Sequence, residues 1–187
     1  VMLVVNVWSD YLCPWCNVAA VRLRAIVAEF GDSIELRWKS FLLRPQPEPG
    51  RDLEKFRRYT ESWRRAAAEE PEAAFRVWQG DEGPPSHSVP PHLVATAAAS
   101  LGHEAFERVH EALLRAYFAQ NRDISSAATL RAIWLGAGLD ERELARAADP
   151  ALLRQVAEEH GQALELGVGG VPAVQIEGVD AAITGAH

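Results

Sequence analysis

Of 187 residues only two are cysteine and one is methionine. Two cysteines cannot build the multi-disulfide framework of a small secreted domain. No uncharged apolar run reaches the ~20 residues that a bilayer crossing needs, so no membrane partner is expected. Positive charge is also short: 19 Lys and Arg against 26 Asp and Glu give a formal net charge of −7. Proteins that grip a phosphate backbone are usually basic, so nucleic acid is not an expected partner. The six histidines contain no HxxxH-type pair, and no metal site is expected. Gly167-Val168-Gly169-Gly170 does not follow a strand, which excludes a dinucleotide fingerprint. No internal repeat is visible. No basic leader opens the chain, which points to the cytoplasm, and Val1 ahead of Met2 reads as an added residue.

What is present is the balance of a folded domain, with 48% hydrophobic and 24% charged residues. Residues 3–8 (LVVNVW) are a short β-branched run bounded by Ser9 and Asp10, and read as a buried strand. From Pro14 to Phe30 apolar residues recur at helical spacing through Val18, Val21 and Ile26. Pro14 suits a first helical turn and Gly31 a helix end. Residues 34–43 open with Ile34, Leu36 and Trp38 alternating with Glu35, Arg37 and Lys39, the pattern of a second strand. Strand, helix, strand predicts a parallel pair. Pro45, Pro47, Pro49 and Gly50 then break the chain. The tract that follows predicts helices over 52–69, 72–79, 91–101, 103–119, 126–136, 140–147 and 150–166, with a loop over 80–91. Ala173 to Ile176 reads as a third strand, 177–180 as a turn and 181–184 as a fourth strand. The class is therefore α/β, with the sheet drawn from both chain ends. Residues 1–50 and 167–187 are expected to form one domain in two segments, and 51–166 a helical insertion domain.

Cys13-Pro14-Trp15-Cys16 sits between the first strand and the first helix. That places Cys13 at a helix N-cap, where free backbone N–H groups and the helix dipole favour an anion. A thiolate there ionises more readily than free cysteine. Cys16, one turn later, returns to the same helix end and can attack a mixed disulfide formed at Cys13. A structural disulfide, a zinc half-site and two inert cysteines are the competing readings. A disulfide spanning so short a loop constrains the unfolded chain least, and a zinc site needs two further ligands. The strand-to-helix setting favours thiol–disulfide chemistry.

Val171-Pro172 follows the glycine-rich turn at the start of the third strand. X-Pro bonds are the ones readily cis. A cis bond here would turn the Val171 backbone outward, where an extended substrate could pair with it. An ordinary trans proline at a strand end is the other reading.

Taken in order, Asp10, the Cys13–Cys16 motif, Trp38, a helical insertion and Gly170-Val171-Pro172-Ala173-Val174 resemble the DsbA-like thioredoxin-fold oxidoreductases, the FrnE-type branch above all. Ala116-Tyr117-Phe118, Arg122-Asp123-Ile124 and Thr184-Gly185-Ala186-His187 resemble that branch too. The resemblance implies a thioredoxin fold interrupted by a large all-α insertion, a nucleophilic Cys13, a resolving Cys16 and a cis Pro172 facing them. It also implies a further helix after His187, and often a homodimer. Related 2-hydroxychromene-2-carboxylate isomerases and kappa-class glutathione transferases share the layout but usually carry Ser at the first motif position. The Pro14-Trp15 dipeptide lacks the His of strongly oxidising relatives, which points to a less oxidising disulfide.

The expected function is a thiol-disulfide oxidoreductase for protein or small-molecule thiols. Pro14, Trp15, Val171 and Pro172 would contact substrate, and Trp15 is expected at the surface. Asp10 is a candidate proton relay, and His92 a candidate lining residue. No cofactor is needed, although glutathione could act as co-substrate. A glutathione-dependent transferase or isomerase is the alternative, and a chaperone-like binding module a third. Residues 51–65 hold six basic and three acidic residues, with Phe56, Tyr59 and Trp63 on one face. They read as an amphipathic helix that could also steer an anionic thiol.

Overall fold

The computed structural model describes residues 2–186, so Val1 and the terminal His187 singled out above lie outside the described residues. Strand β1 (Leu3–Ser9) leads into helix α1 (Pro14–Phe30), and β2 (Ile34–Ser40) follows a single 3-10 turn. The insertion carries α2 (Leu53–Thr60), α3 (Trp63–Glu69), α4 (Val89–Ala99), α5 (His103–Leu114) and α6 (Ala127–Gly136). Helix α7 (Pro150–Glu165) then returns the chain to strands β3 (Ala173–Ile176) and β4 (Ile183–Thr184). The sheet order is β2-β1-β3-β4. β1 and β2 are parallel, in register from Leu3 with Ile34 to Ser9 with Ser40. β3 runs antiparallel to β1, with Val5 opposite Ile176 and Trp8 opposite Ala173. This is a thioredoxin fold with a helical insertion.

Several expected boundaries move. Residues 72–79 are not helical. Their backbone is committed elsewhere: Arg76 N donates to Phe118 O at 2.7 Å, Trp78 N to Thr60 Oγ1 at 2.9 Å and Gln79 N to Asn121 Oδ1 at 2.9 Å. The expected helix over 52–69 is two helices, parted where Thr60 Oγ1 donates back to Arg57 O at 2.8 Å. β2 stops at Ser40, because Phe41 N still reaches Ser9 O but Leu42 N and Leu43 N turn to side-chain acceptors. Residues 141–148 wind as 3-10 helix, α5 continues as a π-turn over Arg115–Ala119, and β4 is only two residues long.

The main core lies where the insertion meets α1. Trp63, Trp78, Trp134 and Phe118 are buried there together with Tyr11, Leu12 and Ala20. Trp63 packs edge-on to Tyr117 and Phe118, with centroids at 5.3 and 4.9 Å. A smaller cluster of Trp8, Phe41, Ala163, Val168 and Ala173 seals α7 against the sheet.

Candidate active site

Two parallel strands end on the same side of a sheet, so the loops after β1 and β2 meet there. Cys13 leaves the first loop in extended conformation (φ −95°, ψ 118°) as N-cap of α1, with Pro14 as the first helical residue. Its own N–H is held by Asp10 O at 3.2 Å, and its carbonyl accepts from Cys16 N at 3.1 Å and Asn17 N at 3.3 Å. Both cysteines are free thiols. Cys13 is 6% exposed and Cys16 1%, so the first is the more accessible of two buried sulfurs.

The two sulfurs differ electrostatically. The Cys13 thiol is held below its ordinary pKa, chiefly by the hydrogen bond from the Cys16 thiol, then by the Cys16 and Trp15 N–H groups, against the opposing pull of burial. The Cys16 thiol is pushed well up, first by burial and then by its role as donor to Cys13. The two shifts make the Cys13 sulfur the easier of the pair to ionise.

Val171 stands across from the pair. The peptide between Val171 and Pro172 is cis, and Cys13 Sγ donates to Val171 O at 3.4 Å. Trp15, expected at the surface, is instead half-buried against Val18 and Ala66, with the Arg65 guanidinium 6.0 Å from its ring centroid. Pro14 is half-buried beside it.

Asp10 is fully buried. Its Oδ2 accepts from Leu43 N at 2.8 Å and Ser88 Oγ at 2.7 Å. Its Oδ1 accepts from Leu12 N at 3.3 Å and lies 3.2 Å from His92 Nε2. Asp10 thus ties the motif loop to the β2 exit and to the start of α4, and both its oxygens are occupied. His92 lies under the motif as a partner of Asp10. Next to it, Tyr11 Oη sits 2.8 Å from His110 Nδ1. Burial lowers the His110 pKa to about 3, so this ring is neutral near physiological pH.

Arg44, which no sequence pattern marked, borders with Arg51 and Lys55 a cleft of about 830 Å³ whose wall includes Leu12, next to Cys13, along with Tyr59, Tyr117 and the acids Glu48 and Asp52. Arg51 is half-sheltered, lying 5.5 Å from the Phe56 ring centroid and donating to Pro85 O at 2.7 Å. The position of Arg44 just beyond a parallel strand was the available signal. Among the described residues no grouping of three His, Cys, Asp or Glu side chains suits a metal ion. No helix among them is long and apolar enough to cross a membrane.

The profile of the DSBA-like thioredoxin domain matches residues 4–187, and the chain belongs to that family. Family and fold together define an enzyme of the thiol-disulfide oxidoreductase kind. Among solved structures, a probable DsbA oxidoreductase from Streptomyces coelicolor is 28% identical, with a TM-score of 0.75, over 99% of this chain and 84% of its own. Cytosolic disulfide reductase DsbM from Pseudomonas aeruginosa shares the fold at 19% identity and TM-score 0.75, over 97% of this chain and 88% of its own; it has also been solved with GSH. A 2-hydroxychromene-2-carboxylate isomerase shares it at 19% identity and TM-score 0.68, over 98% of this chain and 89% of its own. Among curated proteins, an uncharacterized protein of Bacillus subtilis (strain 168), YwbO, is 38% identical over 48 residues, a match spanning 26% of this chain and 23% of that relative.

Proposed function

We propose that the protein exchanges disulfides through Cys13 as nucleophile and Cys16 as resolving thiol. The observation that carries the reading is the placement of Cys13 as N-cap of α1, its sulfur 3.4 Å from the Val171 carbonyl before the cis Pro172, with the buried Cys16 one turn along the helix. In the reducing direction, the Cys13 thiolate attacks a substrate disulfide. A sulfur–sulfur bond forms to one half, and the other half leaves as thiolate. Cys16 then loses its proton and attacks the Cys13 sulfur. The Cys13–Cys16 bond forms, and the remaining half departs as thiolate. Run backwards, the same steps oxidise a dithiol.

Pro14, Trp15, Val171 and Pro172 frame the substrate in this reading, with the Val171 carbonyl released to it once Cys13 is engaged. The adjoining cleft sets Arg44, Arg51 and Lys55 against Glu48 and Asp52, with Arg44 paired to Glu48 at 2.6 Å, and the small excess of positive charge supports an anionic thiol there, glutathione being the small candidate. The chemistry calls for no metal or organic cofactor. We place the protein in the cytoplasm, as for the DsbM neighbour, and as a homodimer on the resemblance alone.

Oxidised glutathione and insulin serve as test substrates. Cys13→Ser should abolish turnover, and Cys16→Ser should accumulate a mixed disulfide visible by mass spectrometry. Normal turnover by Cys13→Ser would refute the assignment. The second reading, a glutathione-dependent isomerase or transferase, is favoured by the cleft beside Cys13 and the isomerase neighbour. It requires calorimetric binding of glutathione and activity that survives Cys16→Ser.

A further inference from the structure

Disulfide exchange on an extended substrate needs two parts of the chain in fixed relation. The Cys13 sulfur sits at the start of α1, and the Val171 carbonyl it touches at 3.4 Å belongs to the approach to β3. These segments lie 158 positions apart, so chain continuity does not hold them together. A run of hydrogen bonds does, and Arg22 is its anchor.

Arg22 stands further along α1, with 28% of its side chain exposed. Its guanidinium bonds in several directions at once. Nη1 donates to Ala186 O at 2.9 Å, Nη2 to Glu69 O at 3.1 Å and Nε to Glu70 Oε2 at 3.3 Å. Glu69 closes α3, so its carbonyl is one of the helix-end acceptors left without an intrahelical donor. Glu70 adds a charge-assisted bond. The planar fork is thereby fixed against α3 and reaches the segment after β4 in a defined direction.

Ala186 passes that restraint on. It packs against the cluster of Val18, Ala66 and Ala73 that Trp15 also joins. The residue before it, Gly185, donates its N–H to Pro172 O at 2.8 Å. Gly185 has φ 111°, a conformation that a side chain would strain. β4 in turn pairs with β3, Thr184 opposite Ala173 and Ile183 opposite Val174. The Pro172 carbonyl is thus held by the stretch that Arg22 clamps to α1.

We propose that Arg22 is a positioning residue for substrate: through Ala186 and Gly185 it fixes the Val171–Pro172 backbone relative to the Cys13 sulfur. The inference rests on the disulfide-exchange reading and assigns Arg22 to substrate reach, not to sulfur chemistry. A protein disulfide must meet the sulfur and lay its chain along Val171 at once. A small disulfide needs the sulfur alone. Loss of the clamp therefore penalises the long substrate selectively, since a misplacement of about 1 Å already lowers a rate by a large factor.

Acid-quenched mixing of the reduced protein with insulin, and separately with bis(2-hydroxyethyl) disulfide, gives the rate of reaction with each. Mass spectrometry counts the reduced protein that remains. Arg22→Gln should slow the reaction with insulin about tenfold and leave that with the small disulfide within about twofold. Arg22→Lys, which keeps the charge but not the fork, should fall between. Gly185→Ala should reproduce the selectivity. Arg22→Gln and Gly185→Ala combined should be no slower than the slower single variant, because both act on one run of contacts. The pH midpoint of iodoacetamide alkylation at Cys13 should stay where it is in every variant. Unchanged rates on insulin, or parallel falls on both substrates, overturn the assignment. So does a midpoint that rises in Arg22→Gln but not in Arg22→Lys, which would make Arg22 a source of charge for the thiolate. Should Arg22→Gln fail to fold, Arg22→Lys and Gly185→Ala decide by the same comparison. A wild-type protein that reacts with neither disulfide defeats the proposed function itself, a result distinct from the others.

Discussion

A thiol at a helix N-cap gains from backbone N–H groups, but at Cys13 the larger contribution is the neighbouring Cys16 thiol. Alkylation by iodoacetamide across a pH series should therefore give a midpoint below that of free cysteine. Cys16→Ala should move that midpoint up, because the donor to the thiolate is gone; Cys16→Ser, which keeps a hydroxyl donor, should move it less. His110 offers a second measurement. Its pKa is about 3 in the fold against an ordinary 6.5. Protonation is thus easier in the unfolded chain, and the stability this ring contributes is complete above pH 6.5 and lost as pH falls towards 3. By about pH 4.5 roughly 2–3 kcal/mol is gone. Denaturant titrations should show a flatter acid limb for His110→Gln, which keeps an acceptor for Tyr11; identical limbs would contradict the assignment. Cys13 and Cys16 could be read from the sequence because their spacing is local. Asp10 and His92 could each be noticed, but their contact spans 82 positions, and the Tyr11–His110 pair spans 99, so packing alone reveals them.

Single elements show where periodicity decides and where it fails. β1, α1 and β2 announced themselves through a β-branched run, a proline-led helix and an alternating strand, and the parallel pairing followed. Residues 72–79 carry helix-forming alanine but serve as an extended strap. Its N–H groups go to Thr60, Phe118 and Asn121, partners no local pattern encodes. Asn121 holds its end of this arrangement in the left-handed region (φ 52°), donating through Nδ2 to Arg76 O at 2.9 Å. Thr60 is the critical acceptor. Thr60→Val preserves shape but strands the buried Trp78 N–H, at a cost of about 1–3 kcal/mol. Chemical unfolding should register that loss, and Thr60→Ser should restore most of it. An unchanged midpoint in Thr60→Val would show that the strap finds another acceptor.

At the scale of the whole molecule, the class and the split of the sheet between chain ends were legible, and so was the tract of helices between them. The cleft was not, since it forms only when the exit of β2 meets α2 and Tyr117. We propose the division into 1–50 plus 167–187 and an insertion over 51–166. The core nevertheless ignores that line: Tyr11, Leu12 and Ala20 are buried with Trp63, Val94 and Phe118. Both parts should unfold in one transition. Tryptophan fluorescence and far-ultraviolet circular dichroism should give coincident denaturant curves, and two separated transitions would mean the insertion folds by itself.

The pairing of β1 with β3 has a consequence for a growing chain. Cys13 and the Val171 carbonyl it touches lie 158 positions apart, and β3 supplies one of the two neighbours of β1. While the ribosome adds the intervening residues, both thiols are already made but the edge that faces them is not. Until Ile176 emerges, the first strand has one flank unpaired, the kind of template on which foreign strands assemble. The order of translation thus delivers the reactive sulfurs early and their cover last.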